Sequence, residues 1–196
     1  MGCWQESSAK HVSSLPILPS SLTALFERAQ VTTSFVVDGK GEVANSSGNS
    51  KGIGNQTDLE LLRSMRASSQ VVLTSGLTAR MEQYRMPRHA DLAIFTAQGV
   101  SQLDLKPRAG QNLIILSPPI VNSYQESLRA LRTQYQNIHV EFGPCGAESL
   151  RKEIDLFVIS STVRNGIHGF LKGLQLQETE SFELPELFVT LAVGRG

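Results

Sequence analysis

The residues best placed to do chemistry lie between positions 137 and 152, in the sequence NIHVEFGPCGAESLRK. An apolar, β-branched run ends at Glu141, a Gly143-Pro144-Cys145-Gly146 turn follows, and residues 147–153 favour a helix. A helix that begins after such a turn presents unpaired N–H groups and the positive end of its dipole, both of which suit a phosphate. Taken alone, the segment fits an ordinary strand–loop–helix connection better than a binding turn.

Two strand ends upstream also carry small and hydroxyl residues. Residues 71–73 run into Thr74-Ser75-Gly76, with Thr78 at an expected helix start. Residues 34–37 end in Asp38-Gly39, before a loop at 41–54 that is rich in Gly and Ser. Ligands of parallel sheets lie across the carboxyl ends of the strands. Together with the turn after Glu141, these strand ends predict a ligand at one edge of the sheet.

In chain order, these motifs resemble the reductase domain of bacterial riboflavin biosynthesis, a pyrimidine reductase family of the dihydrofolate-reductase-like superfamily. The matching positions are Val36-Val37-Asp38-Gly39, Gly48-Asn49-Ser50, Met65-Arg66-Ala67, residues 72–79 and residues 140–146. The resemblance extends from about residue 31 to the C-terminus. It implies an α/β fold, with a mainly parallel sheet, helices on both faces and an antiparallel C-terminal strand.

The resemblance also implies an activity, that of an NADPH-dependent 5-amino-6-(5-phosphoribosylamino)uracil reductase. In such an enzyme a hydride passes from the nicotinamide to the C1 carbon of the opened, imine-like ribose. The expected catalytic residues are Glu141 and Asp38. The expected substrate-binding residues are Ser50, Arg66 and Glu141. The expected cofactor-binding residues are Thr74, Ser75, Gly76, Thr78, Gly143, Pro144, Cys145, Gly146 and Ala147.

Several of these residues also have a purely structural interpretation. Asp38 before Gly39 is a common turn pair. The paired donors of Arg66 suit a phosphate, but the residue also fits a solvated helix position. Glu141, at the end of a buried strand, carries a desolvation cost unless donors meet it, and a nucleotide-like substrate offers donors. Cys145 is expected to be a small turn residue and not a nucleophile.

Departures from the family pattern leave the substrate open. Phe142 stands where glycine is usual, and Gly146 where an apolar residue is usual. A loop tryptophan is missing, and residues 82–87 replace the usual segment after the second turn. One alternative is a reductase of another pterin- or pyrimidine-like substrate, as dihydrofolate reductases are. The other is a catalytically silent nucleotide-binding homologue.

The hydrophobic pattern alternates between strands and helices, which predicts a mainly parallel sheet covered on both faces. Strands are expected at 31–37, 71–74, 92–96, 112–116, 138–141 and 154–160, with one antiparallel strand within 182–193. Helices are expected at 22–28, 57–69, 78–83, 123–135 and 147–153, two of them opened by capping boxes at Thr57 and Ser123. The apolar terminal strand favours a homodimer, as the resemblance implies, although the same residues can complete the monomer's own sheet.

Composition is typical of one enzyme domain. The 196 residues suit an arm with a short helix (1–30) followed by a single reductase domain (31–196). The formal net charge of zero argues against nucleic acid or an anionic membrane as the partner. Cys3 and Cys145 are too few for a disulfide framework, and the histidines lack metal-ligand spacing. With no apolar run near ~20 residues and Glu6 where myristoylation needs Ser or Thr, we expect a cytoplasmic protein with no membrane contact and no metal.

Overall fold

The computed structural model describes residues 18–195, which form one eight-stranded sheet and six helices. The helices are α1 Ser20–Arg28, α2 Gln56–Ala67, α3 Gly76–Met81, α4 Tyr124–Arg132, α5 Pro144–Ser149 and α6 Arg164–Gly173. The strands are β1 Val31–Val36, β2 Val71–Ser75, β3 Asp91–Phe95, β4 Leu113–Leu116, β5 Ile138–Glu141, β6 Leu156–Ser161, β7 Leu176–Leu184 and β8 Leu187–Gly194. Most of the expected N-terminal arm, with Cys3 and Glu6, lies outside the described residues.

The strand order β4-β3-β2-β5-β1-β6-β8-β7 places β1 and β5 side by side near the middle of the sheet. The strands from β4 to β6 in this order pair in parallel, whereas β8 runs antiparallel to both β6 and β7. The chain leaves β1 towards β2 on one side and leaves β5 towards β6 on the other. Ligands of open α/β sheets bind at the carboxyl ends of the strands, where connections diverge in this way. The predicted mainly parallel sheet is confirmed.

Helices cover both faces of the sheet, as the sequence predicts. One face packs against α4, α5 and α6 around Val140, Phe157 and Ile159. The opposite face carries α1 and α2 over β6 and β8, and α3 over β2 and β3. The central strands β2 and β5 are buried along their whole length, which explains why they read as apolar runs.

Two helix starts differ from the prediction because other side chains cap them. Helix α2 begins at Gln56, since the side chain of Asn55 accepts the N–H of Asp58. Thr57, the predicted cap, lies inside the helix and donates to the carbonyl of Pro185. Helix α3 begins at Gly76, two residues before the predicted start at Thr78, because Ser75 accepts the N–H of Thr78. The predicted cap at Ser123 is confirmed, since its hydroxyl accepts the N–H of Glu126, whereas the Glu126 carboxylate accepts from the N–H of Asn122 and not from that of Ser123.

Two elements near the C-terminus were not predicted correctly. Helix α6 carries Gly166, Gly169 and Gly173, and glycine lowers helix propensity, so local pattern gave no signal for it. The expected single terminal strand is a hairpin of β7 and β8. Its turn contains Glu186, with a φ of 56°. Helix α5 begins at Pro144 and not at residue 147.

The apolar residues of the terminal strands are covered within the chain itself. Leu187, Val189 and Leu191 are each 1% exposed and pack in one cluster with Leu22 and Phe26 of α1. Helix α1 therefore belongs to the same core as the sheet. The apolar character of β8 is explained without a second subunit, and the homodimer stays a prediction.

Substituting Gly166 by alanine is expected to destabilise the fold. A Cβ there would overlap the backbone carbonyl of Asp38, which cannot move as a flexible side chain would. We expect a loss of about 2–3 kcal/mol in the free energy of unfolding, measured by denaturant titration. Gly173→Ala is the control on the same helix, because its Cβ meets no atom within 4 Å. Equal stability of the two variants would contradict this packing.

Candidate active site

An open cavity of about 1310 Å³ lies at the carboxyl ends of the central strands. It borders Ser34 of β1 and Glu141 of β5, and it reaches Gly143 after β5. Helix α2, the loop around Ser50, helix α3 and the segment from Glu82 to His89 form the rest of its wall. Drug-sized ligands occupy pockets of about 300–1,000 Å³. The cavity can therefore hold a larger ligand, or two ligands side by side.

Glu141 is the centre of a buried ion pair on this wall. Nε and Nη2 of Arg66 each donate to one oxygen of the Glu141 carboxylate, and both donor–acceptor distances are 2.6 Å. The hydroxyl of Tyr84 donates to Oε2 of the same carboxylate. The guanidinium of Arg66 also lies over the Tyr84 ring, 5.2 Å from its centroid. The donors that Glu141 needs come from the protein, so this carboxylate is already satisfied.

The charge state of this pair is fixed by its surroundings. Burial alone raises the pKa of Glu141, but Arg66 outweighs it and the pKa falls to about 2. Burial lowers the pKa of Arg66, yet Glu141 raises it above its usual range. The unfolded carboxyl has a pKa near 4.5, so the ionised form of Glu141 stabilises the fold above that pH. This stability is lost as the pH falls from 4.5 towards 2.

A row of polar side chains runs beneath Glu141 on the same face of the sheet. His139 is fully buried. Its Nδ1 lies 2.8 Å from Thr32 Oγ1, and its Nε2 lies 3.4 Å from Ser34 Oγ and 3.5 Å from Glu141 Oε1. Burial lowers the pKa of His139 to about 4, although the neighbouring Glu141 opposes this. The imidazole is therefore neutral at physiological pH.

Asp58, in the first turn of α2, is the carboxyl on this cavity whose surroundings favour its protonated form. Its Oδ1 accepts a hydrogen bond of 2.5 Å from Ser160, and no ion pair involving it is present within residues 18–195. Burial raises the pKa of Asp58 and outweighs the opposite effect of Ser160. Four carboxyls of residues 18–195 border the cavity, namely Asp58, Glu60, Glu82 and Glu141. Arg66 holds Glu141 ionised, and burial shifts the pKa of Asp58 upwards.

The structure brings part of the predicted site together. Ser50, Arg66, Thr78, Glu141, Gly143 and Pro144 border the cavity. The remaining predicted residues do not border it: Asp38, Thr74, Ser75, Gly76, Cys145, Gly146 and Ala147.

Asp38 and Thr74 have structural partners. The Asp38 carboxylate accepts the backbone N–H groups of Lys40 and Glu42, which is turn chemistry. The N–H of Glu42, followed by that of Lys40, lowers the pKa of Asp38. Thr74 is fully buried, and its hydroxyl donates to the carbonyl of Glu141.

The glycines of the two turns differ in what surrounds them. A Cβ on Gly76 would overlap Thr96, and one on Gly146 would contact Phe142 at 2.6 Å, so packing explains both. Phe142 fills the space beside Gly146, so the two departures from the family pattern compensate each other. Gly143 has an unstrained φ of −64° and nothing within 4 Å of its Cβ direction.

The amide groups at the start of α5 are partly used within the helix. The N–H groups of Gly146 and Ala147 donate to the carbonyl of Gly143. Pro144 has no N–H to offer. The donors left to the turn are the N–H groups of Gly143 and Cys145, fewer than the sequence suggested.

Three residues of the site were missed by sequence reasoning. Asp58 lies outside the motifs of the resemblance, Tyr84 lies in the segment 82–87 that departs from them, and His139 lacks metal-ligand spacing to the other histidines. One signal was available: His139 and Glu141 stand at alternate positions of the otherwise apolar segment 138–141. Polar residues at every second position of buried strands indicate a shared polar face.

No protein-family model matches the chain, and no curated protein matches it in sequence. Solved structures do match. A pyrimidine reductase-like protein from Corynebacterium diphtheriae superposes with a TM-score of 0.63 at 15% identity, over 90% of this chain and 94% of that one. A diaminohydroxyphosphoribosylaminopyrimidine deaminase/5-amino-6-(5-phosphoribosylamino)uracil reductase from Thermotoga maritima gives 0.61 at 15% identity, over 84% of this chain and 56% of that one.

The dihydrofolate reductase from Enterococcus faecalis, solved with NADP(H), gives a TM-score of 0.52 at 9% identity, over 83% of this chain and 95% of that one. Likenesses at such identities show the fold. The dihydrofolate-reductase-like fold predicted from the sequence is therefore confirmed, and the solved reductases share it.

Within residues 18–195, no group of three or more His, Cys, Asp or Glu side chains is arranged to hold a metal ion. The same stretch contains no helix that is both long and apolar enough to span a bilayer.

Removing the guanidinium of Arg66 is expected to destabilise the protein strongly, because Glu141 would remain buried without its countercharge. We expect Arg66→Met to lower the free energy of unfolding by about 3–5 kcal/mol, measured by urea titration at pH 7. Arg63→Met is the control, since the Arg63 side chain is 57% exposed and pairs with Glu60 on the same helix. The double variant Arg66→Met/Glu141→Gln should recover part of the loss. A double variant with a lower free energy of unfolding than Arg66→Met would argue against the ion pair.

Proposed function

We propose that the protein is an NADPH-dependent reductase of a phosphoribosylamino-pyrimidine, of the type found in riboflavin biosynthesis. The observation that carries the proposal is the cavity at the carboxyl ends of β1 and β5, in a sheet that solved pyrimidine reductases share. Its volume of about 1310 Å³ suits a cofactor and a substrate together. Ser50, Thr78 and Gly143 border it, in keeping with the sequence motifs.

The residues present fit a dinucleotide phosphate at one end of the cavity. The space beside Gly143 is open, and the N–H of Gly143 donates to no other backbone group within residues 18–195. Thr78 adds a hydroxyl, which already contacts Ser75 Oγ at 2.9 Å. Bound NADPH would supply the hydride, and the protein's task is to align the two ligands and exclude water.

Asp58 is proposed as the residue that holds the proton for this reaction. Reduction of a C=N bond needs a proton on the nitrogen as well as a hydride on the carbon. A general acid must be protonated near the operating pH. Burial shifts the pKa of Asp58 upwards, in the direction that a general acid needs, whereas Glu141, expected from the sequence to be catalytic, is held ionised by Arg66. Glu141 then shapes the cavity wall, and Arg66 is not free to bind the substrate phosphate.

A second candidate is the reductase of another pterin-like substrate. Three exposed apolar side chains border the cavity, namely Leu59, Leu77 and Met81, which are 40%, 66% and 39% exposed. An apolar wall suits an extended aromatic ligand better than a sugar phosphate. Turnover of NADPH with dihydrofolate, and none with 5-amino-6-(5-phosphoribosylamino)uracil, would select this candidate.

Titration with NADPH is expected to raise the melting temperature and change the fluorescence of the cofactor. NADPH binding without oxidation on either substrate would select the silent homologue instead.

Gly143→Val should fold like the parent, because its Cβ points into open space, and should weaken NADPH binding about ten- to hundredfold by blocking one charge-assisted hydrogen bond. Gly173→Val, at an equally open glycine away from the cavity, is the control. Normal NADPH binding by Gly143→Val would remove this turn from the cofactor site.

Replacing Asp58 by asparagine is expected to lower kcat by about 10²-fold or more, since the proton donor is lost. The KM for NADPH should be unchanged, because Asp58 is not among the residues proposed to bind the cofactor. In the parent, kcat should fall as the pH rises through the raised pKa of Asp58, and this limb should disappear in the variant. An unchanged pH profile of kcat in Asp58→Asn would show that the proton comes from elsewhere.

A further inference from the structure

The polar row beneath the cavity contains a hydroxyl whose proton has a determinable direction. Ser34 borders the cavity from β1 and is partly exposed to it. Behind it lie His139 and then Thr32, which is 3% exposed. Both ring nitrogens of His139 have contacts, with Thr32 Oγ1 on one side and Ser34 Oγ on the other. Since the ring is neutral, one nitrogen donates and the other accepts.

One tautomer of His139 leaves two unfavourable contacts. If Nδ1 carried the proton, it would donate to Thr32, and the buried Thr32 hydroxyl would have no acceptor among residues 18–195. The lone pair of Nε2 would then face the Glu141 carboxylate at 3.5 Å. An unpaired buried donor and two opposed lone pairs are both costly.

The other tautomer satisfies every group. The Thr32 hydroxyl donates to Nδ1, and the proton on Nε2 lies between Glu141 Oε1 and Ser34 Oγ. Ser34 Oγ then accepts a hydrogen bond from inside the protein, so its own proton must point away from His139. The cavity lies on that side.

We propose that Ser34 is a substrate-recognition residue, a hydrogen-bond donor directed into the cavity by His139, and that it takes an acceptor such as a ring carbonyl oxygen. The inference rests on the proposed function, because a uracil ring offers two carbonyl acceptors. His139 acts through Ser34 and is a positioning residue. An oriented hydroxyl discriminates against a donor at the same place, since two facing donors would each lose a partner.

The direction of the proton can be tested without any ligand. Nitrogen-15 NMR of the histidine side chains should show His139 neutral, with its proton on Nε2, at pH 7. In Ser34→Ala the same tautomer should persist, because Glu141 remains as an acceptor. A proton on Nδ1 of His139 would overturn the inference directly.

Substrate recognition by Ser34 is tested by calorimetric titration with 5-amino-6-(5-phosphoribosylamino)uracil. The titration is done in the presence of an NADPH analogue that cannot donate a hydride. Ser34→Ala should raise the Kd for this uracil about five- to tenfold and leave the Kd for the analogue unchanged. Ser64→Ala is the matched control, since Ser64 borders the same cavity from α2. His139→Leu should weaken binding as Ser34→Ala does, while His139→Gln, which keeps an N–H donor, should recover part of the affinity.

The outcomes separate this inference from the proposed function. If the parent binds NADPH and reduces the uracil, yet Ser34→Ala binds the uracil as tightly as the parent, the role of Ser34 is wrong and the function stands. If the parent shows no affinity for the uracil, the substrate assignment and the recognition by Ser34 fail together. A loss of affinity that is equal in Ser34→Ala and Ser64→Ala would also overturn the inference, because it would not depend on His139.

Discussion

The site depends on one buried carboxylate, that of Glu141 at the end of β5. An ionised carboxylate at 8% exposure is tolerated only because Arg66 and Tyr84 donate to it. Arg66 comes from α2 and Tyr84 from the segment after α3. The ion pair thereby ties both walls of the cavity to the central strand of the sheet. The position of the cavity and the stability of the fold are consequences of the same contact.

This contact also divides the chemical roles of the two carboxyls. Arg66 keeps Glu141 ionised, while burial with only a hydroxyl partner favours a protonated Asp58. Enzymes commonly separate acid and charged roles by giving two titratable groups opposite environments. His139, whose Nε2 lies 3.5 Å from Glu141 Oε1, is neutral because burial disfavours its charged form. The ionised Glu141, the carboxyl of Asp58 and the hydroxyl of Ser34 thus border one cavity.

Glycines allow close packing beside the ends of β1 and β5. Phe142 occupies the space that a larger residue at Gly146 would need, and its ring lies 4.3 Å from that of Tyr124. Gly166 admits the backbone of Asp38 at the end of the first motif. Glycines in these turns are explained by packing, with Gly143 as the exception.

The sequence by itself predicted the parallel strands and five of the six helices, and it predicted a ligand at one edge of the sheet, because buried parallel strands and capped helices leave local patterns. It also named Arg66 and Glu141, but as two separate substrate contacts. Only the tertiary structure decided that they bind each other, since their pairing joins residues 75 positions apart. The same holds for Asp58 and His139, whose charge states follow from burial and not from neighbours in sequence. Helix α6 likewise depends on tertiary packing, because its glycines lower the helix propensity of the segment.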